Sequence, residues 1–171
     1  MLLRYQSIES FKKRKDSMIG HDVLTVLGFA TLFGPTVFPF HERSCAMKKE
    51  IKTHDAPHAL GPFSQAIEIE GMIFVSGQIA MDPISGEFQL GTIEEQARLT
   101  LSNLKAIIEA AGSSLQKVIK CTVLLQDLND YAAVNAVYRE FFPPPYPARI
   151  AVQVARLPLD AKIEIDAIAV K

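Results

Sequence analysis

From Ile51 onward the chain alternates apolar and polar positions in short blocks whose period switches between 2 and 3.6, the signatures of strand and helix. Residues 64–70 and 72–76 flank Gly71 and predict an antiparallel pair with a tight turn. Residues 82–86, Asp-Pro-Ile-Ser-Gly, form a turn by composition. Thr92 with Glu95 three residues later is a capping-box pair. Ile93, Ala97, Leu101, Leu104 and Ile108 then keep helical spacing up to a stop at Gly112. Residues 118–125 are rich in β-branched and aliphatic side chains and predict a buried strand. The polar run 127–130 caps a second helix over 131–142, with Tyr131, Val134, Tyr138 and Phe141 as its apolar stripe, and three prolines end it.

The last part of the chain holds two further alternating runs. Ile150, Val152 and Val154 alternate with Arg149, Ala151 and Gln153, and Ile163, Ile165 and Ala167 alternate with Glu164, Asp166 and Ile168. If these runs pair through the connection 157–162, Arg149 and Glu164 share one sheet face and Ile150 points into the core. The order is two or three strands, helix, strand, helix, strand, strand. That order fits an α+β domain with two helices on one face of a mixed sheet.

Composition narrows the function. The 171 residues suffice for one domain with a proper core, and 18 basic against 19 acidic side chains leave no positive field for a phosphate backbone, so nucleic acid is not an expected partner. Cys45 and Cys121 are too few and too differently placed for a disulfide framework, which favours a reducing compartment and a cytoplasmic location. His54 and His58 stand four apart, but Pro57 and the following Gly61-Pro62 deny them a shared helical face, so they read as solvated loop residues rather than a zinc pair.

Residues 1–46 read as an extension outside the core domain 47–171. Basic residues 12–15 precede an uncharged apolar run, 23–40, and small residues follow at 44–46, as in a targeting segment. Charges at 41–43 and breaks at Gly34-Pro35 and Pro39 oppose a membrane-spanning helix, and no stable membrane association is expected. An upstream stretch before a true start at Met47, a targeting segment and an anchor all remain open as readings.

Five motifs in order carry a resemblance. Gly61-Pro62-Phe63-Ser64-Gln65-Ala66, Ser76-Gly77-Gln78, Val134-Asn135-Ala136-Val137-Tyr138, Pro147-Ala148-Arg149, and Leu157-Pro158 followed by Ile163-Glu164-Ile165 resemble the reactive intermediate deaminase A family, also called YjgF/YER057c/UK114. The resemblance runs from about Met47 to Lys171. It implies a chorismate-mutase-like α+β fold, a homotrimer with sites in clefts between subunits, and hydrolysis of 2-imino acids or their enamines, such as 2-iminobutanoate and 2-iminopropanoate, to 2-keto acids and ammonia. It implies no cofactor and no metal. Other readings are a non-catalytic trimer that binds small carboxylates or acts as a chaperone, and an RNA-directed translation inhibitor or endoribonuclease.

On this resemblance Arg149 is the carboxylate clamp and Glu164 the proton shuttle that places a water over the imine carbon. An arginine nearby favours the ionised carboxylate and burial opposes it. Ser76 and Asn135 would contribute hydrogen bonds, and Gly77 and Ala151 would act through backbone groups and small size. Phe63 departs from a tyrosine frequent in relatives and lacks its hydroxyl, and Ile150 departs from a small hydroxylated residue frequent after the arginine.

Overall fold

The structure is a computed structural model that describes residues 47–171. The extension 1–46, with its basic run, its apolar stretch and Cys45, lies outside the described residues. Six strands, β1 (Lys49–Ile51), β2 (Ala66–Ile69), β3 (Met72–Gln78), β4 (Val118–Leu125), β5 (Ala148–Gln153) and β6 (Ile163–Val170), form one sheet in the order β1-β2-β3-β6-β4-β5. Only the β4–β5 pair is parallel. Helices α1 (Ile93–Ala110) and α2 (Tyr131–Phe141) complete the α+β architecture.

Local chemistry explains most boundaries. Gly71, at φ 78°, supplies the left-handed turn between β2 and β3. The capping box forms as expected. The Thr92 hydroxyl oxygen accepts from the Glu95 amide at 3.3 Å and the Glu95 carboxylate accepts from the Thr92 amide at 2.8 Å, so two orphan donors of the first turn are satisfied. Ala97, Leu101, Leu104 and Ile108 of α1 are fully buried against the sheet side that carries Ile73, Val75, Cys121, Val123, Ile165 and Ala167. The stripe of α2 differs from its sequence reading. Val134, Val137 and Tyr138 are buried, whereas Tyr131 is 42% exposed and turns toward Arg149. Arg98 of α1 and Glu140 of α2 tie the helices together through paired hydrogen bonds of 3.1 and 2.7 Å. Among the described residues no helix is long and apolar enough to cross a membrane.

The topology corrects one expectation. β5 and β6 do not pair, because β4 lies between them. A helix joins β4 to β5 and returns the chain to its starting end, so β5 adds in parallel to the outer edge of β4. The alternating β6, half-buried even on its outer side, takes the central place between β3 and β4. The connection from β5 to β6 passes a tight corner in which Leu159 and Asp160 both adopt φ 56°. Left-handed backbone is uncommon for residues with a Cβ, and Arg156 braces this corner by gripping the Asp160 carboxylate at 2.6 and 3.0 Å.

Ile150 does not enter the core. It is 49% exposed and lies with Val152 on the helix-free side of the sheet. Register places Ile150 beside Thr122 and Asp166, and Val152 beside Leu124 and Glu164. Ile67, Phe74 and Ile168 stand in one row on that same side. The sheet therefore has two apolar faces, one covered by helices and one not.

Candidate functional site

Register separates the two principal candidates. Arg149 of β5 stands beside Cys121 of β4, which stands beside Ala167 of β6, and both neighbours are buried on the helix-covered side. Glu164 stands beside Leu124 and Val152 on the open side. Within one chain, then, Arg149 and Glu164 occupy opposite faces, contrary to the shared face expected from direct pairing of their strands. The described residues line two separate candidate cavities.

The first is built on β5 and α2. Asn135, Tyr138, Arg139, Tyr146, Pro147 and Arg149 line a cavity of about 260 Å³. Tyr131, Asn135 and Tyr138 follow at i, i+4 and i+7, which puts all three on one side of α2. Arg149 Nη2 donates to Asn135 Oδ1 at 2.6 Å and to Tyr131 Oη at 3.0 Å. The guanidinium carbon sits 4.7 Å from the Tyr138 ring centre and 5.4 Å from that of Tyr131, so both rings are within cation–π range. Ala151, two residues along the same face, packs against the core and lines neither cavity. Burial pushes the Cys121 thiol up to about 11, so it is a packed thiol rather than a nucleophile at neutral pH.

The second is a cavity of about 520 Å³ whose walls include Phe63, Ser76, Gly77, Ile79, Leu159 and Glu164. Buried Gln65 holds its loop, its two amide hydrogens shared among the carbonyls of Thr53, Ala56 and Pro57 and its oxygen accepting from the Thr53 amide at 2.8 Å. Ser76 Oγ donates to the Ser64 carbonyl at 2.7 Å, which fixes the hydroxyl and leaves its oxygen able to accept. The register shift between Val75 and Gln78 brings Gly77 against Glu164. A Cβ built on Gly77 would stand 2.9 Å from Glu164 Cδ, so the carboxyl group occupies the space that any larger residue would fill. Burial, and after it the Asp166 charge, raises the Glu164 pKa above the ordinary carboxylate range. Phe63 is 53% exposed at the rim.

Sequence reading missed Tyr131 and Tyr138, which it placed in an apolar stripe, and also Gln65 and Leu159. Their helical spacing with Asn135 was the available signal for the tyrosines. Among the described residues no group of three or more His, Cys, Asp or Glu side chains is arranged to hold a metal ion.

The described residues thus present a sheet with two helices and two separate small-molecule-sized cavities, one a polar cradle around Arg149 and one holding Glu164 against a glycine bulge. Residues 53–171 match the family model described as Endoribonuclease L-PSP. The chain is 54% identical over 125 residues to the RutC family protein PH0854 of Pyrococcus horikoshii, covering 73% of this chain and 99% of that protein. It is 46% identical over 128 residues to the 2-iminobutanoate/2-iminopropanoate deaminase of Capra hircus, covering 75% of this chain and 93% of the relative. The crystal structure of Escherichia coli TdcF with bound serine superposes with a TM-score of 0.69 at 50% identity, over 72% of this chain and 98% of TdcF. The chain belongs to this family, the reactive intermediate deaminase A or YjgF/YER057c/UK114 family of the sequence reading.

Proposed function

We propose that the protein hydrolyses short 2-imino acids, 2-iminobutanoate and 2-iminopropanoate among them, and the enamines from which they form, to 2-keto acids and ammonia. It does so as a homotrimer in which the Arg149 half-site of one subunit meets the Glu164 half-site of the next. The observation that carries this reading is the division itself. A carboxylate clamp and an acid of raised pKa stand on opposite faces of one sheet, and the apolar open face with Ile150, Val152 and Phe74 is a surface that a second copy can cover. A relative at 46% identity carries this activity in its name, and TdcF binds serine, a small amino acid with the same carboxylate.

The chemistry follows from the groups. Arg149 holds the substrate carboxylate and so fixes the adjacent C2. Water adds to C2 as Glu164 in its carboxylate form takes a water proton, while the C=N π electrons move to nitrogen, which is then protonated. Glu164, having returned the water proton to nitrogen to give the carbinolamine, relays the hydroxyl proton to the amino nitrogen; the O–H electrons close the C=O bond as the C–N bond breaks, and ammonia leaves with the 2-keto acid behind. Ser76 and Asn135 position the polar ends, Gly77 keeps room for the carboxyl group, and Phe63 supplies an apolar wall.

The test uses two inactive chains together. Arg149→Ala and Glu164→Gln are each expected to abolish acceleration of 2-keto acid release from a dehydratase-generated imine in competition with semicarbazide. Co-refolded in equal amounts, they restore about one quarter of the sites, since one in four interfaces of a head-to-tail ring joins an intact Arg149 to an intact Glu164. Zero recovery from a mixed trimer sinks the shared site, and full activity in either single variant sinks the assigned chemistry. Phe63, which carries no hydroxyl, favours a second reading in which the cleft binds small carboxylates without turnover. That reading predicts Arg149-dependent thermal stabilisation by 2-ketobutanoate and no acceleration at all.

A further inference from the structure

Leu159 occupies a place that neither backbone preference nor burial explains. It stands at φ 56° and ψ 23°, in the left-handed region that glycine and asparagine tolerate and a leucine rarely adopts. Its side chain is 56% exposed, so burial in the core does not offset that conformational cost. Strain of this kind persists only where the surroundings hold it, and here Leu157 is buried on one side while Arg156 grips Asp160 on the other. What the strain places is an apolar side chain on the wall of the cavity that holds Glu164.

The rest of that cavity offers little to a polar substrate side chain. Leu60, Phe63, Ile79 and Met81 supply apolar wall, Gln65 and Gln78 direct their amide groups to backbone carbonyls, and among the described residues no lysine or arginine lines it. Its volume of about 520 Å³ is that of sites enclosing molecules larger than a four-carbon acid. We propose that Leu159 is a specificity-determining residue: it forms the apolar wall against which the side chain of the 2-imino acid lies, and the site prefers branched aliphatic side chains to shorter or acidic ones. This assignment rests on the proposed function and narrows its substrate class. With the carboxylate on Arg149 and C2 beside Glu164, the side chain is the part of the substrate left to meet Leu159. An acidic side chain there faces the Glu164 carboxylate with no lysine or arginine to balance it.

The experiment measures, by calorimetry on the full chain, the binding of 4-methyl-2-oxopentanoate, 2-ketobutanoate and 2-oxopentanedioate to the wild type and to Leu159→Asn, Leu159→Lys and Arg149→Ala. Asparagine suits left-handed backbone, so Leu159→Asn changes the wall and keeps the corner. The wild type is expected to bind the branched acid about tenfold more tightly than 2-ketobutanoate, as two further buried carbons imply, and 2-oxopentanedioate more weakly than either. The tenfold ratio falls to about twofold or less in Leu159→Asn. In Leu159→Lys the order inverts, with 2-oxopentanedioate about tenfold ahead of the branched acid. Wild-type ratios in both variants, or a wild type that favours 2-ketobutanoate, overturn the assignment and leave the proposed function standing. Altered sedimentation of the variants with the ratios unchanged makes Leu159 a contact between subunits and equally overturns it. Absence of Arg149-dependent binding of all three acids overturns both.

Discussion

The two cavities are opposites in how they satisfy their charges. Arg149 is held by several contacts, with Nη2 on two acceptors and two tyrosine rings within cation–π range, so its direction is fixed before a ligand arrives. Among the described residues no cation pairs with Glu164. It lies against Gly77 with Asp166 on the same sheet face, and its pKa rises. In the proposed function, joining the positioned cation to the uncompensated acid would supply the ligand's recognition from one side and its proton from the other.

The largest effects should come from breaking either half. Arg149→Lys keeps the charge but loses the planar donor array and is expected to lower kcat/KM by about 100-fold or more, measured by 2-keto acid release. Glu164→Gln, with no proton to exchange, is expected to lower kcat by about 10² to 10⁴, and a loss below tenfold would move the proton shuttle elsewhere. Next in size is the surface between the halves. Ile150→Asp places a charge on the apolar open face, and sedimentation is expected to find it dissociated to monomers, with both halves intact and turnover lost. Phe63→Tyr restores a hydroxyl at the Glu164 rim and is expected to improve KM by about 2- to 10-fold, the value of one net hydrogen bond.

The smallest effect sharpens the electrostatic contrast. The folded pKa of Glu164 lies above its ordinary 4.5, so the folded state holds that proton more tightly than the unfolded chain does. Its stabilising contribution is complete below pH 4.5 and is lost as the pH rises through the folded value. Glu164→Gln removes this loss. The variant is expected to melt about 2 °C higher than wild type at pH 7 and at the same temperature at pH 4.

The elements were legible where local chemistry decides them. Thr92 and Glu95 announced α1, Gly71 announced the β2–β3 turn, and the prolines after Phe142 announced the end of α2. The relation between Arg149 and Glu164 was not legible, for a reason visible in β5. Alternation says that Ile150 and Val152 share a side, but not which side. With apolar residues on both sheet faces, the more hydrophobic set need not be the one under the helices. Tyr131 was misplaced for a related reason, since its aromatic ring fits an apolar stripe while its hydroxyl and exposure serve the arginine. The family motifs supplied the candidate residues, and only the strand order revealed that they form two groups.

The corner at Leu159 and Asp160 bears on how such a divided machine keeps time. It joins β5, which carries Arg149, to β6, which carries Glu164. Two successive left-handed residues held by the Arg156–Asp160 grip leave this hinge few alternative shapes. In the proposed trimer each subunit would lend one strand to each of two neighbouring sites, so play at this corner would disturb both at once. Asp160→Gly should therefore ease the backbone yet desynchronise the ring, trading a relaxed link for sites that no longer present water and carboxylate together.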